Sequence, residues 1–383
     1  MPSIAAFLLL ASMFACGGGS STTTTPAPPP TLRQVAAAHN IKVGAAADSP
    51  CLSDSHYATI LGSEFSQLQA ENEMKFSFIH PGANTYDFSG GDALVSFAQT
   101  HTMMVRGNTL VWHNQVPSWV TSGSYASSQL STILQDHITT VMGHYAGKVY
   151  AWDVVNEAFN DDGTMRDTIW YDQPGIGFAG MGTQYIELAL GWAHAADPNA
   201  QLFYNDYNAE PMNVKSDAIY AMAQDFKNRG VPLDGVGFQL HIDLSFDDPT
   251  TLASFTSNLQ RFAALGLNLH IPELDIRLSD SSAASFNAQA KLYGEIARIC
   301  VQQPACKLFR PGDSPTSIPG FQAPFRDGVG RCRGTRTTRR SRRTSASGMR
   351  CSSRHHRRAL LGLDGREPAL SLPKERLSPH GHC

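Results

Sequence analysis

The sequence lacks several features that would assign it to other classes of protein. The apolar run near its N terminus, residues 4–14, is too short to cross a bilayer as a helix, and no basic segment precedes it. None of its seven cysteines has the spacing of a zinc site, and no other ligand has suitable spacing from His113 or His241. We therefore expect no metal ion and no cofactor.

Arginine is scarce in most of the chain and abundant at its end. Residues 1–309 carry 7 arginines, with 14 Lys and Arg against 28 Asp and Glu. Residues 310–383 carry 15 arginines, with 16 Lys and Arg against 5 Asp and Glu. The balance therefore changes from −14 to +11 within a chain whose net charge is −3. Such a change at one point requires a cause.

The N terminus has the pattern of an export signal. The apolar residues 4–14 end at the small residue Ala15, and Cys16 follows directly. A linker of Gly, Ser, Thr and Pro, residues 17–30, comes next, and this order resembles a bacterial lipobox with a lipidated cysteine. We expect residues 1–16 to be a signal peptide or a lipoprotein signal. The protein would then be secreted, or anchored through Cys16 at the bacterial cell envelope.

From Thr31 onward, strand-like apolar runs alternate with amphipathic helical stretches. The strand-like runs are residues 41–47, 65–72, 103–112, 149–159, 201–208, 235–242 and 267–276. The helical stretches include residues 183–196, 214–230, 248–266 and 282–303. This alternation predicts a parallel sheet with crossover helices, and seven such units predict a (β/α)8 barrel with one strand still to be placed.

Polar side chains crowd the C-terminal ends of these strands. They are Glu71, Asn72, Trp112, His113, Asn156, Glu157, Asp206, Asn208, His241, Glu273 and Asp275. In a (β/α)8 barrel those ends meet at one rim, where active sites are built. Glu157 and Glu273 each follow a buried apolar strand, and burial raises the pKa of a carboxylic acid, so that one of the pair can hold a proton near neutral pH. Hydrolysis of a glycosidic bond generally requires two carboxyl groups that face each other across the bond.

Five segments carry a resemblance to a known family. They are AENEMK (70–75), RGNTLVWHNQVPSW (106–119), WDVVNEAF (152–159), GFQLH (237–241) and PELDI (272–276). In this order they resemble glycoside hydrolase family 10, the endo-β-1,4-xylanases, over residues 31–309. The resemblance implies hydrolysis of internal xylan linkages by a retaining double displacement, which needs carboxyls about 5–5.5 Å apart.

The resemblance also implies roles for individual residues. Glu157 would be the acid/base and Glu273 the nucleophile. Asn156 would bind the sugar 2-hydroxyl, His241 and Asp275 would orient Glu273 and keep it ionised, and Gln239 and Asp206 would act on Glu157. The substrate-binding residues would be Glu71, Asn72, Lys75, Asn108, Trp112 and Gln115, with Tyr207 and Asn208 on the aglycone side. Aromatic faces suit the apolar face of a pyranose, and charged or amide groups suit its hydroxyls.

Two positions within the resemblance depart from the family pattern. Asn108 stands where the family usually has histidine, so we expect altered binding beside the scissile bond rather than lost chemistry. Pro272 stands where threonine is common, and proline removes a hydrogen-bond donor inside a strand.

Cys300 and Cys306 lie close together after a helical stretch. In an exported protein this spacing predicts a small disulfide loop.

The arginine-rich end has two interpretations. Codons can be chosen for RPGDSPTSIPGF (310–321) that read TWGFTDKYSWI in another frame, and TRTTRRSRR (335–343) can likewise read DANYTPKPAY. Both readings resemble the segments with which the family closes its barrel, so we hypothesise a one-base frameshift near Phe309. The eighth strand and helix would then be lost, the neighbouring strand edges would be unpaired, and residues 310–383 would be a disordered tail. The alternative is a basic arm that binds nucleic acid or membranes.

The sequence therefore predicts a catalytic barrel at residues 31–309 that acts on xylan, as a monomer and without a nucleic-acid partner. Two alternatives stay open: a non-catalytic glycan-binding relic, and another barrel glycosidase such as a β-1,4-glucanase.

Overall fold

The computed structural model describes residues 29–172, 175–176 and 181–311. The chain divides into two units at Pro30, and the elements described below belong to the second unit. The predicted signal and linker (residues 1–16 and 17–30, apart from Pro29 and Pro30), Cys16, and the tail from residue 312 onward lie outside the described residues. Those predictions stay predictions.

Eight of the described strands form a closed parallel barrel. The strands of the whole sheet are β1 (Lys42–Ala47), β2 (Gln67–Ala70), β3 (Met104–Val111), β4 (Val149–Asn156), β5 (Gln201–Asp206), β6 (Gly235–Phe238), β7 (His241–Asp243), β8 (Asn268–Arg277) and β9 (Cys306–Pro311). The pairing runs from β1 to β6 in chain order, then through β8 and β9 back to β1. The short strand β7 pairs with the C-terminal half of β8. The predicted (β/α)8 barrel is thus confirmed.

The expected loss of the eighth strand is wrong. Strand β9 pairs with β8 through Leu269 and Cys306 and with β1 through Val43 and Phe309, so the described barrel has no open edge at this seam. The strand continues through Arg310 to Pro311, past the point at which the frameshift was placed. A strand of a few residues is enough to pair with two neighbours, and residues 306–309 supply most of these pairs before the arginine-rich sequence begins.

One helix precedes the first strand, and the others lie in the connections between strands. The helices are α1 (Leu32–Ala38), α2 (Ser55–Glu64), α3 (Phe76–Ile79), α4 (Ser89–Thr100), α5 (Ser118–Thr121), α6 (Ser127–Tyr145), α7 (Gln184–Ala196), α8 (Val214–Arg229), α9 (Pro249–Ala264) and α10 (Ala283–Gln302). Local signals set their ends. Helix α8, for example, begins at the capping residue Asn213 and stops at Gly230, which has a left-handed φ of 73°. The apolar faces of these helices and the outer faces of the strands form one continuous core.

The interior of the barrel holds a buried charged network beneath the rim. Arg106 on β3 forms an ion pair with Asp153 on β4, and neither side chain is exposed to solvent. The guanidinium also contacts His270 and lies 4.6 Å from the centre of the Phe203 ring. Burial raises the pKa of Asp153, whereas Arg106 and Asn108 oppose that rise. A buried charge is tolerated only with such partners, so this network fixes strands β3, β4 and β8 to one another.

A disulfide joins Cys300 to Cys306, with a Cα–Cα distance of 5.3 Å. It connects the last turn of α10 to the first residue of β9, and so ties the closing strand to its crossover helix. Within the described ranges, no helix is both long and apolar enough to cross a membrane.

Candidate active site

The two glutamates singled out in the sequence lie at the carboxyl rim of the barrel. Glu157 directly follows β4, and Glu273 lies within β8. The backbone of Glu157 has a φ of 58°, a region that non-glycine residues seldom adopt. Gln115, Asn208 and Leu240 share this conformation, and each belongs to a rim segment. Such strain is found where a surrounding structure holds a functional group in place.

Glu273 is held as a carboxylate. His241 Nε2 lies 3.4 Å from Glu273 Oε2, and His241 Nδ1 lies 2.6 Å from Asp275 Oδ2. Asn205 Nδ2 donates to the other oxygen, Oε1, at 2.8 Å. Burial by itself would raise the pKa of Glu273, but the hydrogen bond and charge of His241, the charge of Arg310 and the bond from Asn205 bring that pKa to about 2.

The histidine that holds Glu273 is itself charged. Burial lowers the pKa of His241, but its bonds to Asp275 and Glu273 outweigh burial and raise that pKa well above its ordinary value. The pairing of His241 with Asp275 follows from the register of β7 against β8, which sets these two residues side by side. The ladder between β8 and β9 shifts register between Ile271 and Leu274. That stretch contains Pro272, which cannot donate a ladder hydrogen bond.

Glu157 has a different environment, made mostly of amides. Asn156 Nδ2 and Gln239 Nε2 each donate to Glu157 Oε1 at 3.2 Å. His113 Nδ1 lies 3.8 Å from Oε2. Burial, followed by the charges of Arg166 and Lys215, lowers the pKa of His113 to about 4, so that this imidazole is neutral at neutral pH. Glu157 therefore lacks the cationic partner that Glu273 has in His241.

A chain of amides connects the two carboxyls. Asn205 Nδ2 donates both to Glu273 Oε1 and to Asn156 Oδ1, at 2.8 Å each, and Asn156 donates onward to Glu157. Gln239 Nε2 also donates to Asn156 Oδ1, at 3.1 Å. The amides thus hold the two glutamates in one site, in which the Glu273 carboxylate bonds a cationic histidine and the Glu157 carboxyl bonds neutral amides.

The residues predicted to bind the glycone lie together next to this pair. Lys75 Nζ lies 5.2 Å from the centre of the Trp112 ring, and Gln115 Nε2 donates to Asn72 Oδ1 at 3.0 Å. Burial lowers the pKa of Lys75, against the opposing charges of Glu273, Glu71 and Glu157. Those charges place the Lys75 ammonium within electrostatic reach of Glu71 and of both central carboxyls.

The residues predicted for the aglycone side follow β5. Asp206 ends that strand, and Tyr207 and Asn208 come next. Asp206 Oδ1 accepts from Tyr207 N at 2.9 Å and from Lys215 Nζ at 2.9 Å. Burial raises the pKa of Asp206 to about 7, although Lys215 and Tyr204 act to lower it.

Asn108 joins the site to the buried network beneath it. The residue is 5% exposed, and Nδ2 donates to Asp153 Oδ2 at 2.9 Å. Its role in substrate binding stays a prediction.

Sequence reasoning missed three residues that contact the predicted site residues. They are Asn205, described above, Tyr204, whose hydroxyl bonds Asp206 and accepts from Ala158 N, and Arg166, which donates to Glu157 O and to the Tyr207 hydroxyl. The position of Asn205 could have identified it, since it lies at the same strand end as Asp206. The position of Arg166 could not, because this residue lies in a loop.

Within the described part of the chain, no group of three or more His, Cys, Asp or Glu residues is arranged to hold a metal ion.

A closed (β/α)8 barrel whose carboxyl rim holds two glutamates in unlike environments has the architecture of a barrel glycoside hydrolase. The model of glycosyl hydrolase family 10 matches residues 31–310. The chain belongs to glycosyl hydrolase family 10.

Individual relatives support this assignment. Endo-1,4-beta-xylanase B of Thermotoga neapolitana is 42% identical over 298 residues, which are 76% of this chain and 83% of the relative. Endo-1,4-beta-xylanase C of Phanerodontia chrysosporium is 40% identical over 274 residues, 70% of this chain and 66% of the relative. The crystal structure of xylanase 10B from Thermotoga petrophila RKU-1 in complex with xylobiose superposes with a TM-score of 0.69 at 41% identity, and covers 74% of this chain and 86% of that one.

Proposed function

We propose that this protein is an endo-1,4-β-xylanase that cleaves internal β-1,4-xylosidic bonds of xylan with retention of configuration. One observation carries the proposal. The two rim carboxyls occupy one hydrogen-bonded site, in which His241 holds Glu273 ionised while the Glu157 carboxyl accepts its hydrogen bonds from the neutral amides of Asn156 and Gln239. A retaining hydrolase needs this asymmetry, because one carboxyl attacks the anomeric carbon and the other protonates the leaving oxygen.

In this mechanism Glu273 attacks the anomeric carbon while Glu157 gives its proton to the departing sugar oxygen. The bond to the leaving sugar breaks, and a covalent glycosyl-enzyme forms. Glu157, now a carboxylate, takes a proton from water, which attacks the same carbon and releases Glu273. Asn156 and Asn205 lie between the carboxyls and are positioned to bind the sugar ring that spans them.

Hydrolysis of xylan and of carboxymethylcellulose by the same preparation tests the proposal. We expect xylo-oligosaccharides and an early fall in the viscosity of xylan, with little release of reducing sugar from carboxymethylcellulose. Higher activity on cellulose would assign the chain to another glycosidase specificity. Binding of xylan without turnover would assign it to the non-catalytic alternative.

Replacing His241 with asparagine is expected to move the acid limb of the pH profile upward. In the wild type the pKa of Glu273 is about 2, so the nucleophile is ionised both near pH 4 and near pH 7. Without the imidazolium, burial dominates and raises that pKa, so the nucleophile becomes protonated at mildly acidic pH. We expect the ratio of kcat/KM near pH 4 to that near pH 7 to fall by about tenfold or more.

His144→Asn is the matched control for this prediction, because His144 pairs with Asp92 away from the rim. A His241→Asn profile that scales down equally at all pH values would contradict the assigned role.

We further propose that the protein acts outside the cytoplasm, secreted or lipid-anchored through Cys16, and as a monomer. The N-terminal pattern and the disulfide between Cys300 and Cys306 support an oxidising location. Intact-mass measurement of the protein purified from a bacterial host tests the anchor, because lipidation at Cys16 would add the mass of acyl chains and remove the preceding residues.

A further inference from the structure

A lysine that no sequence pattern singled out is buried beneath the aglycone side of the site. Lys215 is the second residue of α8, and its side chain has no exposed surface. Lysine is almost never fully buried unless its charge is paired. The first turn of a helix is also an unfavourable place for a cation, because the helix dipole is positive there. The position therefore needs a specific compensation from its neighbours.

Three groups surround the Lys215 ammonium. Nζ lies 2.9 Å from Asp206 Oδ1 and 3.3 Å from Asp161 Oδ1. It also lies 3.7 Å from the centre of the Tyr207 ring, a close cation–π contact. The three partners come from two different rim segments, since Asp161 follows Glu157 after β4, whereas Asp206 ends β5 and Tyr207 follows it. Lys215 thus joins the loop that carries one predicted catalytic carboxyl to the loop that carries the aglycone residues.

The same partners hold the two residues predicted to meet the aglycone. Asp161 Oδ2 accepts from Asn208 Nδ2 at 3.2 Å. Tyr207 N donates to Asp206 Oδ1, and the Tyr207 hydroxyl accepts from Arg166 at 2.9 Å. The ring of Tyr207 is therefore fixed at its face by Lys215 and at its hydroxyl by Arg166, while Lys215 holds the acceptor of Asn208.

We propose that Lys215 is a positioning residue that fixes Tyr207 and Asn208 for binding of the leaving-group sugar. The inference rests on the proposed function. Its physical basis is that one buried charge, paired with two carboxylates and an aromatic face, sets the geometry of both loops at once. Removing the charge would leave Asp206 buried without its cation and Asp161 free to turn to solvent with Asn208.

The test compares two substrates that differ in their need for the aglycone residues. Xylotetraose places sugars on both sides of the scissile bond. In p-nitrophenyl β-xylobioside the leaving group is a phenolate, which departs without a sugar on the aglycone side. For Lys215→Met we expect kcat/KM on xylotetraose to fall about 10- to 100-fold, with a change of less than about threefold on the aryl glycoside.

Lys227→Met is the matched control, because Lys227 is an exposed lysine on the same helix, and it should behave as the wild type on both substrates. Asp161→Asn is the second variant, since the Asp161 side chain is 63% exposed and its replacement does not open the core. It should lower turnover of xylotetraose selectively but less than Lys215→Met does, and it decides the question if Lys215→Met fails to fold.

The outcomes separate the two proposals. If the wild type hydrolyses neither substrate, the proposed function fails and the inference fails with it. If the wild type and Lys227→Met are active and Lys215→Met matches them, the inference alone is overturned. An equal loss on both substrates, in a variant with unchanged thermal unfolding, also overturns it, because it would show no link to the aglycone side.

Discussion

Glu273→Gln is expected to lower kcat on xylan by about 10⁴-fold or more, because the amide cannot form the glycosyl-enzyme bond. The loss should be the same for an aryl xylobioside, since attack on the anomeric carbon is needed whatever the leaving group. Initial rates on both substrates measure it. Glu295→Gln, at a glutamate on α10 that pairs with Arg298, is the matched control.

Glu157→Ala should behave differently, and the contrast identifies the two roles. On xylan we expect a loss of about 10²- to 10⁴-fold, because the leaving sugar needs a proton. An aryl xylobioside with an acidic phenol needs none, so its first step should remain fast and a burst of phenolate should precede a slow steady state. Azide should accelerate that steady state by replacing water as the nucleophile. Identical behaviour of the two variants on the aryl substrate would contradict the assignment.

Changing the reading frame after Phe309 is expected to raise both activity and stability. Strand β9 ends at Pro311, which pairs with Leu274, the residue after the predicted nucleophile. The alternative frame places threonine and tryptophan at positions 310 and 311, followed by a second tryptophan. Aromatic faces stack on sugar rings, so we expect KM for xylan to be lower by about tenfold or more. The unfolding temperature should also rise, because the alternative frame supplies the segments that resemble those with which the family closes its barrel.

Arg310→Thr in the chain as written separates the two effects. Arg310 is 3% exposed and acts on the pKa of both Glu273 and Lys75. If this variant alone reproduces the gain, the arginine is the cause. If kcat/KM and unfolding temperature are equal for both reading frames, the frameshift hypothesis loses its functional support. Sequencing the gene across the codons for residues 300–345 tests the hypothesis itself.

The barrel and its rim could be predicted from the sequence because both depend on patterns among residues that are close together in the chain. Apolar strands of regular spacing, each followed by a polar residue, predict parallel strands and a polar rim. This pattern identifies Glu157 and Glu273 as rim residues. The roles of His241 and Asp275 beside Glu273 come from the resemblance, and the register of two strands accounts for the pairing of these two residues.

What could not be predicted depends on neighbours that are distant in sequence. Strand β9 is six residues long and borders the arginine-rich segment, so its strand character rests on β1 and β8. Lys215 lies in an amphipathic helical stretch, where a lysine is typical of a solvent-exposed face. The hydrogen bond of Asn108 could not be predicted because its acceptor, Asp153, comes from another strand. For β9, Lys215 and Asn108 alike, the structural role depends on contacts with residues that are distant in the sequence.

In the proposed mechanism Glu273 attacks the anomeric carbon, while Glu157, on the other side of the scissile bond, protonates the leaving oxygen. Incubation with an activated 2-deoxy-2-fluoro-β-xylobioside, followed by proteolysis and peptide mass spectrometry, tests it directly. The account predicts one stable adduct, with the mass of a fluoroxylobiosyl group, on the peptide that contains Glu273, and slow reactivation in the presence of xylobiose. An adduct on Glu157, or an active enzyme that forms no adduct, would contradict it.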